Sequence, residues 1–191
     1  MNNLNNTHLH PLENASALES RFRRWLQNPK RILKKHIRQG MTVLDLGCGT
    51  GYFTIEIAKL LNGKGKVIAI DVQEGMLEIL KQKLKDSSLK QQIQILNNHE
   101  KSLGFTEKVD FILAFYSFHE MKYIDDIIQS LKEVAKQETK ILISEQRVHV
   151  SKEMFNSIIR RMTNNGFIVC ERPRIFFSRS VVMKIEKNEL K

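Results

Sequence analysis

Val43-Leu44-Asp45-Leu46-Gly47-Cys48-Gly49-Thr50-Gly51 is the stretch from which the rest of the chain is read. Its first residues close a short apolar run, Thr42–Leu46, which reads as a strand. Immediately after it, Tyr52–Leu61 reads as a helix. A glycine-rich turn between a strand and a helix is the context that a ligand-binding loop requires. Glycine there permits unusual φ/ψ and lets a ligand approach the backbone closely. In open parallel sheets such ligands bind outside the C-terminal strand ends, where strand order reverses.

Outward from the loop, Lys66–Ile70 reads as the next strand and runs into Asp71, 20 residues after Gly51. A carboxylate at that distance can accept two hydrogen bonds from a ribose diol. The glycine spacing is G-x-G-x-G. A dinucleotide fingerprint, G-x-G-x-x-G, would need glycine where Tyr52 stands. Asp45 precedes the first glycine by two residues. A pyrophosphate at a helix N-terminus is repelled by a nearby carboxylate, whereas a ligand carrying an ammonium group is attracted. The pattern therefore favours a ribose-containing cation over a dinucleotide.

The alternation continues. Helices are expected at Glu74–Lys85, Ile124–Ala135 and Ser151–Asn164, the last capped by Ser151. Strands are expected at Ile93–Leu96, Val109–Phe115, Lys140–Ser144, Phe167–Cys170 and Phe176–Glu186. Strand–helix alternation at this spacing gives right-handed crossovers and a parallel sheet covered on both faces. The last two strands, joined by a turn around Arg172-Pro173, should be antiparallel. The expected architecture is one doubly wound α/β domain over residues 41–191, preceded by a helical extension over residues 1–40.

Composition agrees. The chain has 191 residues, 41% hydrophobic and 27% charged, which is globular and of one-domain size. Its apolar runs are too short for a spanning helix. The polar start, Met-Asn-Asn-Leu-Asn-Asn, lacks an apolar signal core. Cys48 and Cys170 make no disulfide framework. These features lead us to expect a cytoplasmic protein. The net charge is +10, and Arg21, Arg23, Arg24, Lys30, Arg31, Lys34, Lys35 and Arg38 supply +8 of it with no acid among them. Residues 21–38 read as two short basic helices broken at Asn28-Pro29, with Asn28 as N-cap, Pro29 at the first helical position and Gly40 as the stop. Their charge suits a solvated face, and it can equally meet nucleic acid or an anionic membrane surface.

With these motifs in view, the stretch from Gly40 to about Glu145 resembles the class I S-adenosylmethionine-dependent methyltransferases. It is most similar to the small methyltransferase-domain group that includes ubiquinone- and menaquinone-biosynthesis-type enzymes. The resemblance rests on Asp45-Leu-Gly47-Cys-Gly49-Thr-Gly51, on Asp71 within Val67–Met76, and on Val109–Glu120. It implies a Rossmann-like, mostly parallel seven-strand sheet of order 3-2-1-4-5-7-6 with strand 7 antiparallel. It implies S-adenosyl-L-methionine as cofactor, bound by Asp45, Gly47, Cys48, Gly49, Gly51, Asp71, Val72, Met76 and Phe115. The N-terminal 40 residues would act as a lid. Where the family usually places Asp-Ala after strand 3, this chain has Asn97-Asn98-His99-Glu100, so adenine recognition falls to Asn98, His99 or a backbone group. The family's Pro-Gly-Gly turn before strand 5 is replaced by Lys136-Gln-Glu-Thr139, expected as a surface turn.

Methyl transfer from a sulfonium is an in-line displacement governed by alignment, and it needs a base only where the acceptor loses a proton. Residues near the ends of strands 4 and 5 are the candidates: Tyr116, His119, Glu120, Glu145 and His149. His119 is the best placed base, with Glu145 or Glu120 orienting it; the catalytic set is His119, Glu120 and Glu145. Tyr52 and Phe53 pack the helix or face the sulfonium. Ala114-Phe-Tyr-Ser117 lacks the Pro-Pro motif of amino-methylating nucleic-acid enzymes and the Pro-Cys of cytosine-C5 enzymes. No cluster has metal-ligand spacing. A small-molecule acceptor is the expectation, with quinol carbon, hydroxyl, amine and metalloid acceptors all open. An RNA or protein acceptor drawn by residues 21–38, and a cofactor-binding protein without transfer activity, are the alternatives.

Overall fold

A computed structural model describes residues 27–98 and 100–186. Seven strands form one sheet of order β3-β2-β1-β4-β5-β7-β6. They are β1 (Thr42–Leu46), β2 (Lys66–Asp71), β3 (Ile93–Asn97), β4 (Val109–Phe115), β5 (Ala135–Gln146), β6 (Phe167–Glu171) and β7 (Ser178–Ile185). The first five are mutually parallel, and β7 runs antiparallel to both β5 and β6. The helices are α1 (Pro29–Leu33), α2 (Tyr52–Leu61), α3 (Glu74–Leu84), α4 (Ile124–Val134) and α5 (Lys152–Asn164).

The strands at the centre are apolar on both faces because both faces are covered. On one face Leu44, Leu46, Ile112, Ala114, Ile141 and Ile143 meet α4 and α5, which supply Ile127, Leu131, Phe155 and Met162. On the other face Val43, Val67, Ala69, Phe111 and Leu113 meet α2 and α3, with Ile57, Leu61, Leu77 and Leu80. The period of two along each strand assigns these sets. It also sends Asp45 to the α2 face, beside Thr54.

Order reversal falls between β1 and β4, which lie side by side although their connections leave in opposite directions. Their C-terminal ends carry the glycine loop and the Tyr116–Glu120 segment. Everything that follows sits at that edge.

Most element bounds agree with the sequence to within a residue or two. Two departures are informative. The strand expected at Lys140 starts at Ala135 instead. Ala135 pairs with Val109 and Lys140 with Phe111, so the residues expected as a surface turn form an irregular extension of β5. Thr139 makes this possible: buried, its hydroxyl accepts from the Lys136 amide and donates to the Val109 carbonyl. The helix expected to reach Gly40 ends at Leu33. Leu33 and Ile37 bury against the α2 face and His36 stacks on Phe111, so tertiary packing turns the chain early. Asn28 caps α1 by accepting from the Arg31 amide, with Pro29 in the first position, as the sequence indicates. The basic helix expected before residue 27 lies outside the described residues.

Candidate functional site

The glycine loop is built by three left-handed glycines, Gly47, Gly49 and Gly51. At Gly47 no side chain fits: a Cβ would stand 2.3 Å from the Ser117 Cβ. Ser117 is held there by its hydroxyl, which donates to the Leu46 carbonyl at 2.8 Å. At Gly49, by contrast, a Cβ would meet nothing within 4 Å, so this backbone fronts open space.

Asp71 joins the loop to the end of β2. One carboxylate oxygen accepts from the Gly49 amide at 2.8 Å, and the other from the Gln73 amide at 2.9 Å. Each oxygen keeps lone-pair capacity for a further donor. Burial raises the Asp71 pKa, against the pull of these amides.

Asp45 is only 2% exposed and accepts from the Thr54 hydroxyl at 2.6 Å. Burial lifts its pKa to about 7, with Thr54 opposing and Asp71 adding to the rise. Cys48 is buried, and burial with the neighbouring Asp45 and Asp71 raises its thiol pKa well above the ordinary value. It is therefore a neutral wall group, consistent with its placement outside the catalytic set.

Two adjoining hollows open here and share Gly47, Asp71, Gln73, Ser117 and Glu120. Asp45, Cys48, Gly49, Met76 and Phe115 line the first, together with the aromatic walls Tyr52, Phe53 and Tyr116. Val72, Asn98 and Glu100 line the second, with Met121 and Ile127. The structure thus brings together the cofactor-binding candidates of the sequence, from Asp45 to Phe115. Gly51 is set back from the first hollow, against Leu80. His99 lies outside the described residues. Asn98 is buried beside Asp71, its amide donating to the Asp71 carbonyl.

The three catalytic candidates also converge. Glu145, at the end of β5, is fully buried. One of its oxygens accepts from the amides of Phe118 and His119, at 2.9 and 3.3 Å. The other lies 2.7 Å from His119 Nδ1. His119 Nε2 is 3.9 Å from Glu120 Oε1. Burial pushes the His119 pKa down, but the hydrogen bond and charge of Glu145, with Glu120, outweigh it and hold the pKa above 6.5. Burial lifts the Glu120 pKa to about 7, His119 opposing and Asp71 and Glu145 adding. Glu120 lines both hollows, and His119 stands behind it. His149 is exposed and lines neither hollow.

Two features of this edge have little or no signature in the sequence. Tyr116 adopts φ +64°, a left-handed conformation that is uncommon for a bulky residue. Its amide donates to the Ser144 carbonyl and its hydroxyl meets Ser178 Oγ at 2.7 Å. Gln27, just ahead of α1, is buried against it: the side-chain amide donates to the Tyr116 hydroxyl and, at 3.1 Å, to the Phe176 carbonyl. Its own carbonyl accepts from the Tyr52 hydroxyl at 3.2 Å. Gln27 sits at the break between the two expected basic helices, and nothing in that context marks it for burial.

Among the described residues no group of three or more His, Cys, Asp or Glu side chains is placed to hold a metal ion. Among them, too, no helix is long and apolar enough to cross a membrane.

Residues 37–191 match the family described as "Methyltransferase domain". The chain belongs to this methyltransferase family. A solved relative, a SAM-dependent methyltransferase from Aquifex aeolicus, superposes with a TM-score of 0.81 at 28% identity, covering 91% of this chain and 97% of its own. Two curated relatives are demethylmenaquinone methyltransferases. That of Lactobacillus johnsonii is 29% identical over 118 residues, 61% of this chain and 48% of its own length. That of Lactococcus lactis is 37% identical over 95 residues, 50% and 36% respectively. The chain thus spans less than half the length of these curated relatives. The Aquifex aeolicus relative is by name dependent on S-adenosylmethionine. The donor set suits that molecule: open backbone at Gly49, carboxylates at Asp45 and Asp71, and apolar walls between them.

Proposed function

We propose that this methyltransferase transfers the methyl group of S-adenosylmethionine to a small-molecule acceptor that gives up a proton. The observation that carries this reading is the Glu145–His119–Glu120 chain, which ends in the hollow beside the glycine loop. When bound, the cofactor supplies an electrophilic methyl group on a sulfonium.

In this proposal Asp71 accepts from the ribose hydroxyls, and Asp45, ionised by a facing ammonium, holds the amino-acid end. Gly47, Cys48 and Gly49 give close backbone contact, with Met76 and Phe115 as apolar walls. Val72, Asn98 and, by sequence, His99 surround the base. Glu120 takes the acceptor's proton; its pKa of about 7 suits that work at neutral pH. His119 and Glu145 position Glu120 and set its charge.

Demethylmenaquinone is the first acceptor to test, because relatives of this chain carry that name. The experiment pairs thermal unfolding with S-adenosylmethionine, S-adenosylhomocysteine and NAD with a transfer assay using labelled methyl groups. At about 100-fold over Kd a ligand adds about 2.7 kcal/mol, a shift of roughly 5–10 °C for a chain of this size. Stabilisation by both sulfur nucleosides but not by NAD, and label in the quinol, supports the reading. Stabilisation without transfer to any quinol, phenol or amine would leave a binding protein without this activity.

A further inference from the structure

The turn between β6 and β7 lies at the same edge of the sheet as the site, because β7 starts beside the end of β5. Its tip is apolar and exposed: Phe176 is 48% and Phe177 58% accessible, their rings in edge contact at 4.8 Å. Val148, 76% accessible, stands next to them, since the Arg147 amide donates to the Phe177 carbonyl at 3.0 Å. Scattered exposed apolar residues need no explanation, but three side by side at the rim of a site do.

The collar around this tip is cationic. Arg172 and Arg174 precede it in sequence, and Arg147 adjoins Val148; all three are exposed. Arg31 and Lys35 share a groove with Arg174 and Phe176. Among the described residues, the acid beside this groove is Glu171, paired with Lys35 at 2.8 Å. An apolar tip within a ring of cations matches the cross-section of an anionic bilayer, where hydrocarbon lies beneath negative headgroups. An aliphatic side chain as exposed as Val148 favours lipid over nucleic acid, which would stack on rings and gain nothing from it.

We propose that Val148, Phe176 and Phe177 insert into the interface of an anionic membrane, with Arg31, Lys35, Arg147, Arg172 and Arg174 meeting the headgroups. The Phe176 carbonyl is bonded to Gln27, whose amide also reaches Tyr116 on the wall of the first hollow. The docked protein thereby turns its site toward the bilayer and draws its acceptor from it. The acceptor class is then a lipid-soluble molecule. Only this last clause rests on the transfer reading above; membrane docking is independent of it.

The test is co-sedimentation with phosphatidylcholine vesicles, with and without phosphatidylglycerol. The variants are F176S/F177S, R172Q/R174Q and V148E. The wild type should sediment with the anionic vesicles and little with pure phosphatidylcholine. F176S/F177S should bind more than about tenfold more weakly. Each arginine removed should cost about fivefold. Retention of the S-adenosylmethionine-induced shift in melting temperature certifies the fold of each variant. If F176S/F177S loses that shift, V148E, altered at a solvent-facing position, decides by the same criterion. Absence of wild-type binding to anionic vesicles overturns the proposal. Binding that survives both F176S/F177S and V148E overturns it too, leaving attraction by charge alone. Binding to single-stranded homopolymer RNA but not to vesicles, lost in F176S/F177S, would make the surface a nucleic-acid interface. Vesicle binding is read without turnover, so failure of methyl transfer leaves this result intact.

Discussion

Glu145 holds His119 twice, through the imidazole Nδ1 at 2.7 Å and through the backbone amide at 3.3 Å. One buried carboxylate thus fixes both the ring and the turn that carries it. Glu145→Gln keeps an acceptor but removes the charge, so the His119 pKa should fall, read from the pH dependence of its ring proton shifts. Glu145→Leu also strips the acceptor from two amides, and should cost about 2–4 kcal/mol in denaturant unfolding. A Glu145→Gln protein whose His119 titrates as in the wild type would contradict this coupling.

Glu120, with a pKa of about 7, should act as a base only when ionised. At saturating S-adenosylmethionine, kcat/KM for the acceptor should therefore rise with pH through about 7 and level off above it. Glu120→Gln should lower kcat by about 10²–10⁴-fold and abolish that limb while leaving cofactor affinity within a few fold. His119→Asn should move the limb rather than remove it, because His119 acts through Glu120.

Asp45 gives a prediction on binding. Its pKa of about 7 is that of the ligand-free site. An ammonium group favours the ionised form, so S-adenosylmethionine should bind more tightly as pH rises from 6 to 8, releasing a proton near pH 6.5. Calorimetry in buffers of different ionisation enthalpy measures that proton directly. The stability effect has the opposite sign. A carboxyl whose folded pKa is raised binds protons better folded than unfolded, so its contribution falls as pH rises from about 4 to about 7. Asp45→Asn should stabilise the ligand-free protein at pH 8, by an amount on the order of 4 kcal/mol or less, and weaken cofactor binding.

Gly47→Ala should fail for two reasons at once. The residue sits at φ +73°, and its new methyl would collide with Ser117. A loss of about 2–4 kcal/mol is expected, or roughly 6–12 °C in Tm. Gly49→Ala shares the backbone strain, at φ +53°, but has open space, so it should cost about 1–2 kcal/mol while still obstructing the cofactor. Equal losses in the two variants would show that strain alone governs this loop.

The glycine loop, Asp71 and most strands and helices could be read from the sequence because each has a local cause. Buried parallel strands need unbroken apolar runs, and amphipathic helices such as Ile124–Val134 carry their own period. What escaped depends on distant partners. Thr139 joins β5 only because the Val109 carbonyl is there to receive it. Phe176-Phe177 looks like the start of a strand, yet Phe177 has φ +55° and pairing begins at Ser178. Glu145, His119 and Glu120 lie together in the fold. The order Glu145, His119, Glu120, with Glu120 facing the hollow, follows from how β4 and β5 lie together and from no spacing in the chain.

Gln27 has a consequence for exchange. It ties the hydroxyls of Tyr52 and Tyr116 to the Phe176 carbonyl across one side of the first hollow. Three such bonds, at roughly 1 kcal/mol each and broken together, leave that side undone in about one molecule in a hundred. A molecule leaving by that route waits for this fluctuation, so one residue, through its side-chain amide and its backbone carbonyl together, sets the interval.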